Sequence, residues 1–278
     1  MKKLITVSLI CIMITLLVSC SAKENEKVNN DSTKTTNENT IITETAKPTT
    51  VPTATVTPEP TATVAPVAEI DYSTAKLVAL TFDDGPNLTI TPLVLDKLDA
   101  HGVVATFFLI GQYITEETKP VMERELSLGC EINNHSWSHS YMNKLTPEQI
   151  KDEIKKTSDK INEMVGITPA FFRPPFIATS PEMYANIDLP FINGINCLDW
   201  DGTVTAEKRA ETILANVKDG DIILMHDFAG NNNTVDALDA IIQGLIDDGY
   251  TLVTVSQLFE YKGVEPNVEN KIWSNTNQ

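Results

Sequence analysis

Positive charge is scarce in this chain: its 278 residues carry 21 Lys and Arg against 38 Asp and Glu, a net charge of −17. Most of the acidic excess lies after residue 70. An acidic domain without a Lys/Arg cluster is a poor partner for nucleic acid, whose phosphates demand cations, so no nucleic-acid role is expected. Neutral or cationic polymers remain open. Cysteine is sparse too, at 4 residues, none in zinc-ligand spacing. Cys11 and Cys20 belong to the N-terminal segment, which leaves Cys130 and Cys197 either to pair or to stand as two buried thiols; the second is the expectation. Long apolar runs are also missing. The mostly apolar stretch from Leu4 to Val18 falls short of the roughly 20 residues of a comfortable membrane span.

What stands at the N-terminus is an export signal, with Lys2 and Lys3 ahead of that stretch and Ser19 before Cys20. The run Leu17, Val18, Ser19, Cys20 resembles a bacterial lipobox, in which the signal (1–19) is cut before the cysteine and its sulfur is acylated. Lipidation at Cys20 would place the protein on the extracellular face of the cell membrane, held by a lipid anchor. Residues 20–70 are rich in Ser, Thr, Asn, Val and Pro ("KPTTVPTATVTPEPTATV") and have few large apolar side chains to bury. They read as an extended tether. The domain proper is drawn at 71–262, with 263–278 as a tail that gives no function.

Within the domain, strand-like runs recur at Leu77 to Phe82, Val103 to Ile110, Glu131 to Asn133, Ala170 to Arg173, Phe191 to Asn196, Asp221 to Met225 and Thr251 to Val255. Helical patterns lie between several of them: Thr91 to His101, a helix opened by Thr146 and Pro147 that runs to about Val165, and Asn233 to Gly249. Alternation at this rate predicts an α/β fold with a parallel sheet and crossover helices, either a barrel or an open doubly wound sheet. Functional groups then belong at the carboxyl ends of strands.

Asp83 and Asp84, in "TFDDGP", fall just past the first strand. Alone they could be a polar turn. Among only 4 histidines, however, His135 and His139 sit four apart in "NNHSWSHS". If that segment is helical, both imidazoles share a face and can share a metal. Two histidines and one carboxylate, with open positions, suit a catalytic divalent ion. One of the paired aspartates supplies that ligand; the other is free to take a proton from an activated water. In "FFRPPF", Arg173 could pair with a buried aspartate or lie on the surface before a rigid turn. In "CLDWDG", Asp199 could orient a histidine, while Trp200 could stack on a sugar ring, with core packing the plainer reading. His226, emerging from the apolar run "DIILMH", is a candidate general acid. His101 is accounted for by its place at a helix C-terminus.

In order, "TFDDGP", "HSWSH", "RPPF", "DW" and "LMH" resemble the motif series of the polysaccharide deacetylases, the NodB-homology domain of carbohydrate esterase family 4. The resemblance runs from about Leu77 to Phe259 and includes "ATFFLIG" and "DGYTLVTVSQL". It implies a distorted (β/α) barrel of about seven parallel strands and one divalent metal, zinc first, with cobalt or another divalent ion as alternatives. The implied activity is removal of acetyl groups from an acetylated polysaccharide. Carried onto this chain, Asp83 resembles the catalytic base, Asp84, His135 and His139 the metal ligands, and Arg173 the partner of Asp83. His226 would be the acid, tuned by Asp199. The backbone N–H of Phe176 would help hold the oxyanion, and Trp200 and Leu224 would line the acetyl pocket and groove. The chain departs from the family where Tyr-Gly often follows the two prolines, having Phe176 and Ile177 instead, and where Asn196, Cys197 and Leu198 precede Asp199. The expected function is N-deacetylation of peptidoglycan N-acetylglucosamine by a monomer. The alternatives are an O-acetyl esterase on xylan or another glycan, and a lipoprotein that binds glycan without turnover.

Overall fold

The computed structural model describes residues 71–72 and 74–278. The signal, the lipidation site and the tether lie outside the described residues. The founding element is β1 (Lys76–Gly85), whose run of inaccessible apolar side chains is the pattern of a strand covered on both faces. Strand alternation splits it cleanly. Val78, Leu80 and Phe82 pack into the cluster beneath the helices, while Leu77 and Ala79 pack into a second cluster with Phe108, Ile192, Ile222 and Trp273.

In chain order β1 is followed by α1 (Ile90–His101), β2 (Thr106–Leu109), α2 (Lys119–Ser127), β3 (Glu131–Asn134), α3 (Pro147–Val165) and α4 (Pro181–Asn186). Then come β4 (Phe191–Ile192), β5 (Ile195–Asn196), α5 (Ala206–Asn216), β6 (Ile222–His226), α6 (Asn232–Asp247), β7 (Tyr250–Leu252), α7 (Val255–Lys262) and β8 (Ile272–Trp273). The strands pair in parallel in the order β3-β2-β1-β6-β5, with β7 against the first part of β1. Beyond β3, Phe172 bridges Asn134 to Phe191 of β4, which pairs with β8. The chain just after β8 returns to the start of β6 through an Asn275–Asp221 bridge and the bond from the Ile222 N–H to the Ser274 carbonyl, 3.0 Å. Pairing thus runs around a ring, a distorted α/β barrel with single-residue seams, as expected.

Several expectations are refined. Ala170 to Arg173 is no strand but one bridged residue, Phe172, because Pro174 and Pro175 follow and have no N–H to give a ladder. Phe191 to Asn196 is two short strands. They are separated at Gly194, where a Cβ would stand 2.8 Å from the Ile222 carbonyl oxygen. The segment drawn as a tail supplies β8, and Trp273 is buried edge-on to Phe259 at 5.2 Å. The expected helices stand within a residue or two of their places. For α3, Thr146 and Gln149 form a reciprocal capping box. His101 closes α1 as expected and also meets Asp239 at 3.1 Å.

Cys130 and Cys197 are buried and unbonded. Burial pushes both thiols up to about 12, and the thiolate is the reactive form. Neither should react with an aromatic disulfide reagent at pH 8 in the folded chain, and both should react at once on unfolding in guanidinium. Rapid labelling of the native protein would contradict the packing of these two positions.

Candidate metal and acid–base site

Alternation along β1 puts Asp83 on the same side as Leu77, Ala79 and Thr81, inside the barrel, where it is 2 % exposed. The next residue should then point out into the helix layer. It does not, because the register between β1 and β2 slips between Asp83 and Gly85 and Asp84 adopts a left-handed φ of 76°. Such an irregularity re-aims a side chain at a strand end. Two adjacent carboxylates consequently serve two places.

Asp83 is met by Arg173, which is wholly buried. Arg173 Nη1 donates to Asp83 Oδ1 at 2.6 Å and to Thr81 Oγ1 at 2.8 Å, while Nη2 donates to the Asn193 carbonyl at 2.8 Å. The guanidinium lies 4.1 Å from the centre of the Phe108 ring. Burial lowers the Arg173 pKa from its ordinary value, and the Asp83 charge opposes that.

His135 follows directly on β3. Its Nδ1–H donates to the Arg173 carbonyl at 2.8 Å, which leaves the Nε2 lone pair toward Asp84 Oδ1, 3.4 Å away. His139 Nε2 reaches the same oxygen at 3.3 Å. The expected helical spacing is not how the two rings converge. The segment is a loop with left-handed residues at Ser136 and His139, where Ser136 Oγ accepts from the His139 N–H. Glu153 of α3 accepts from the Trp137 and Ser138 N–H groups at 2.9 and 2.8 Å and pins the turn. Left-handed non-glycine residues are costly. Most of those described belong to this site, namely Asp84, Ser136, His139, Phe176 and Ile177; the others are Leu198, next to Asp199 in the chain, and Asn270.

The ligand atoms of Asp84, His135 and His139 lie within 4.8 Å of one another, and Asp84 Oδ1 is buried with no hydrogen-bond partner. Burial opposes the Asp84 charge, yet with no ion bound the imidazoles of His135, His139 and His226, when protonated, hold its carboxyl down at about 2. An orphaned buried carboxylate oxygen beside two imidazole nitrogens is a donor set that fits a divalent ion such as zinc or cobalt.

Across the sheet, parallel register pairs Asp83 with His226 at the end of β6. Asp199 accepts from His226 twice, from the ring Nδ1–H at 2.8 Å and from the backbone N–H at 2.7 Å. Burial works against the imidazolium, but Asp199 first, with Asp83 and Asp84, outweighs it and lifts the His226 pKa to about 9. Between the ligand set and His226 opens a cavity of about 440 Å³, with Leu224 in its wall. Its rim is aromatic and exposed. Phe176 (52 %) stacks on Tyr141 at 4.1 Å and meets the His139 ring at 4.6 Å, and Trp200 (59 %) stands in the wall as well, not in the core.

All the residues expected at the site within the described residues therefore meet at one place, Arg173 and Asp199 as partners of the groups that face the cavity. Sequence reasoning missed Tyr141, Glu153, Thr81 and the group behind Asp199: Arg209, Asn231 and Thr234. An arginine in the helical stretch "AEKRAET" gives no sign that it is buried, and Thr81 was hidden inside the motif "TFDDGP".

A model of the family described as polysaccharide deacetylase matches residues 70–188. The chain is 52% identical over 200 residues to a bifunctional xylanase/deacetylase of Pseudobutyrivibrio xylanivorans, covering 72% of this chain and 33% of that one. It is 36% identical over 194 residues to the peptidoglycan-N-acetylglucosamine deacetylase PgdA of Listeria monocytogenes serotype 1/2a, covering 68% of this chain and 40% of that one. The chain thus spans well under half the length of these two relatives. Among solved structures, a family 4 acetyl xylan esterase from Clostridium thermocellum in complex with a cobalt ion is 44% identical with a TM-score of 0.71, covering 73% of this chain and 100% of that one.

Proposed function

The chain belongs to the polysaccharide deacetylase family, and from that premise we propose that it is a metal-dependent hydrolase removing acetyl groups from a cell-surface polysaccharide. One observation carries the reading: three ligands, a carboxylate paired with Arg173 and a histidine paired with Asp199 converge on one cavity. A divalent ion held by Asp84, His135 and His139 would polarise the acetyl carbonyl and acidify the attacking water. Asp83 takes that water's proton. Its Oδ1 is tied to Arg173, and Oδ2 is left for the transfer. Within the Pro174–Ile177 loop the prolines have no N–H, and Ile177 donates its own to the Pro174 carbonyl at 2.9 Å, so the N–H of Phe176 is the one left for the oxyanion. As the bond from the acetyl carbon to the leaving nitrogen or oxygen breaks, His226 hands its proton to that atom, while Asp199 holds the ring by Nδ1 and so presents Nε2.

For the polymer, peptidoglycan N-acetylglucosamine is supported by the 36% identity to PgdA and by the expected lipid anchor at Cys20, since a domain tethered outside the membrane meets the wall first. Acetylated xylan is the second reading, favoured by the higher identities of 52% and 44% to the xylanase/deacetylase and the acetyl xylan esterase. A glycan-binding protein without turnover would not need the acid, the base and the ligands together. The test is acetate release by the purified chain from peptidoglycan, chitooligosaccharides and acetylxylan. Chelation should abolish release, and zinc or cobalt should restore it. A folded, metal-loaded chain that releases no acetate from any of the three would overturn the hydrolase reading.

A further inference from the structure

Behind Asp199 lies a second buried cation that the reaction as described does not use. Arg209, on α5, is 1 % exposed. Every hydrogen bond it donates among the described residues ends on a neutral oxygen. Nη1 reaches Asn231 Oδ1 and Thr234 Oγ1, both at 2.7 Å, Nε reaches the Val204 carbonyl at 3.1 Å, and Nη2 the Asp201 carbonyl at 3.2 Å. Donor logic then fixes the next layer. Thr234 has an oxygen lone pair engaged by Arg209, so its hydroxyl hydrogen is directed to Asp199 Oδ2 at 2.9 Å. Asn231 accepts at Oδ1, so its Nδ2 faces the other way, donating to the His226 carbonyl at 2.9 Å and lying 3.5 Å from Asp199 Oδ2. The arginine thereby holds two neutral donors on one oxygen of Asp199 and leaves the other oxygen to the His226 ring.

We infer that Arg209 is a positioning residue for proton donation: through Asn231 and Thr234 it fixes the Asp199 carboxylate, and its charge, held one residue away, moderates the pull of Asp199 on His226. This deepens the deacetylase reading and rests on His226 being the acid. A direct Arg–Asp199 pair would compete with the imidazole for the carboxylate; interposed neutral donors give orientation without that competition. Asp199, Asp83 and Asp84 favour the charged form of the His226 ring, and the charge of His139, which shares the cavity, disfavours that form. Arg209 is placed to counter only the first.

Removing the charge has a definite sign. With Arg209→Met, Asp199 acts on His226 unopposed, the imidazolium is held more tightly, and a weaker acid donates more slowly. The expected result is a kcat lowered about tenfold or more, KM little changed, and the basic limb of the pH–kcat profile displaced upward by about one unit. Arg209→Lys should return the limb toward its original place. Should Arg209→Met fail to fold, Thr234→Val removes the donor to Asp199 while keeping the shape, and Thr234→Ser restores it. The first should lower kcat several-fold and the second should recover it. The titration of the His226 ring is also followed by nitrogen-detected NMR, with and without zinc, in the wild type and in whichever of these variants folds. That readout needs no turnover, so a chain without deacetylase activity would defeat the functional reading and still test this one. A His226 titration unmoved in the folded variant, or Thr234→Val with wild-type kcat, would overturn the assignment.

Discussion

Asp83→Asn is expected to lower kcat by about a thousandfold while leaving the metal content of the folded chain intact, although it strands the buried Arg173 charge and should lower stability as well. Asparagine keeps the shape and an oxygen that can accept from Arg173 Nη1, now 2.6 Å from Asp83 Oδ1. It cannot take a proton from water, and a positioned general base is worth about 10² to 10⁴ in rate. The ligands Asp84, His135 and His139 are untouched, so a zinc or cobalt titration should give wild-type stoichiometry. The split between retained metal and lost turnover separates the two aspartates. Asp84→Asn should instead weaken the ion's binding, because it removes the only carboxylate of the three-ligand set. If Asp83→Asn keeps a tenth of the wild-type rate, the base is elsewhere.

That the two aspartates would differ in their partners was legible in the sequence; how they come to differ was not. Adjacent residues on a strand point to opposite faces, so a regular β1 would have sent Asp84 away from Asp83. The slip between Asp83 and Gly85 and the left-handed φ at Asp84 solve this, and no residue type in "TFDDGP" announces either. The histidines illustrate the same limit. Their spacing was read as a helical face, whereas the rings meet through a loop with two left-handed residues, pinned by Glu153 from a helix that begins only at Pro147. Chemistry of the right types was visible in sequence because metal and proton transfer demand His, Asp and Arg. The geometry depends on tertiary partners, which a local pattern does not contain.

The fold divides along a similar line. The short apolar runs of β1 and β6 were plain because burial on both faces leaves no polar alternation to confuse them. The seams of the barrel were not. Phe172 makes one bridge on each side, β4 and β8 contribute two residues each, and Trp273 lies in the stretch drawn as a tail. Elements this short carry no period. Their pairing is decided by what they pack against, here the cluster of Phe108, Phe171, Phe259 and Trp273.

Arg173→Met should be the most destabilising single change at the site, and it should damage more than turnover. Methionine fills much of the space, but Asp83 would then sit at 2 % exposure with its cationic partner gone. Breaking a buried pair by removing one member costs about 3–5 kcal/mol, because the remaining charge is left uncompensated. That is a large share of the roughly 5–15 kcal/mol that holds a typical domain folded. Guanidinium unfolding should show it as a lowered midpoint with little change of slope. The double variant Asp83→Asn/Arg173→Met supplies the control, since it removes the stranded charge along with its partner. It should therefore be more stable than Arg173→Met alone, although it carries one more substitution. Simple addition of the two single effects would mean that Arg173 acts by packing on Phe108 and by its bonds to Thr81 and the Asn193 carbonyl, not by its charge on Asp83. Recovery in the double variant would mean that one ion pair keeps the barrel interior folded and also holds the base in place. The catalytic carboxylate would then be one the fold itself requires, and loss of activity in Arg173 variants could not be read as a kinetic effect without first measuring how much protein is folded.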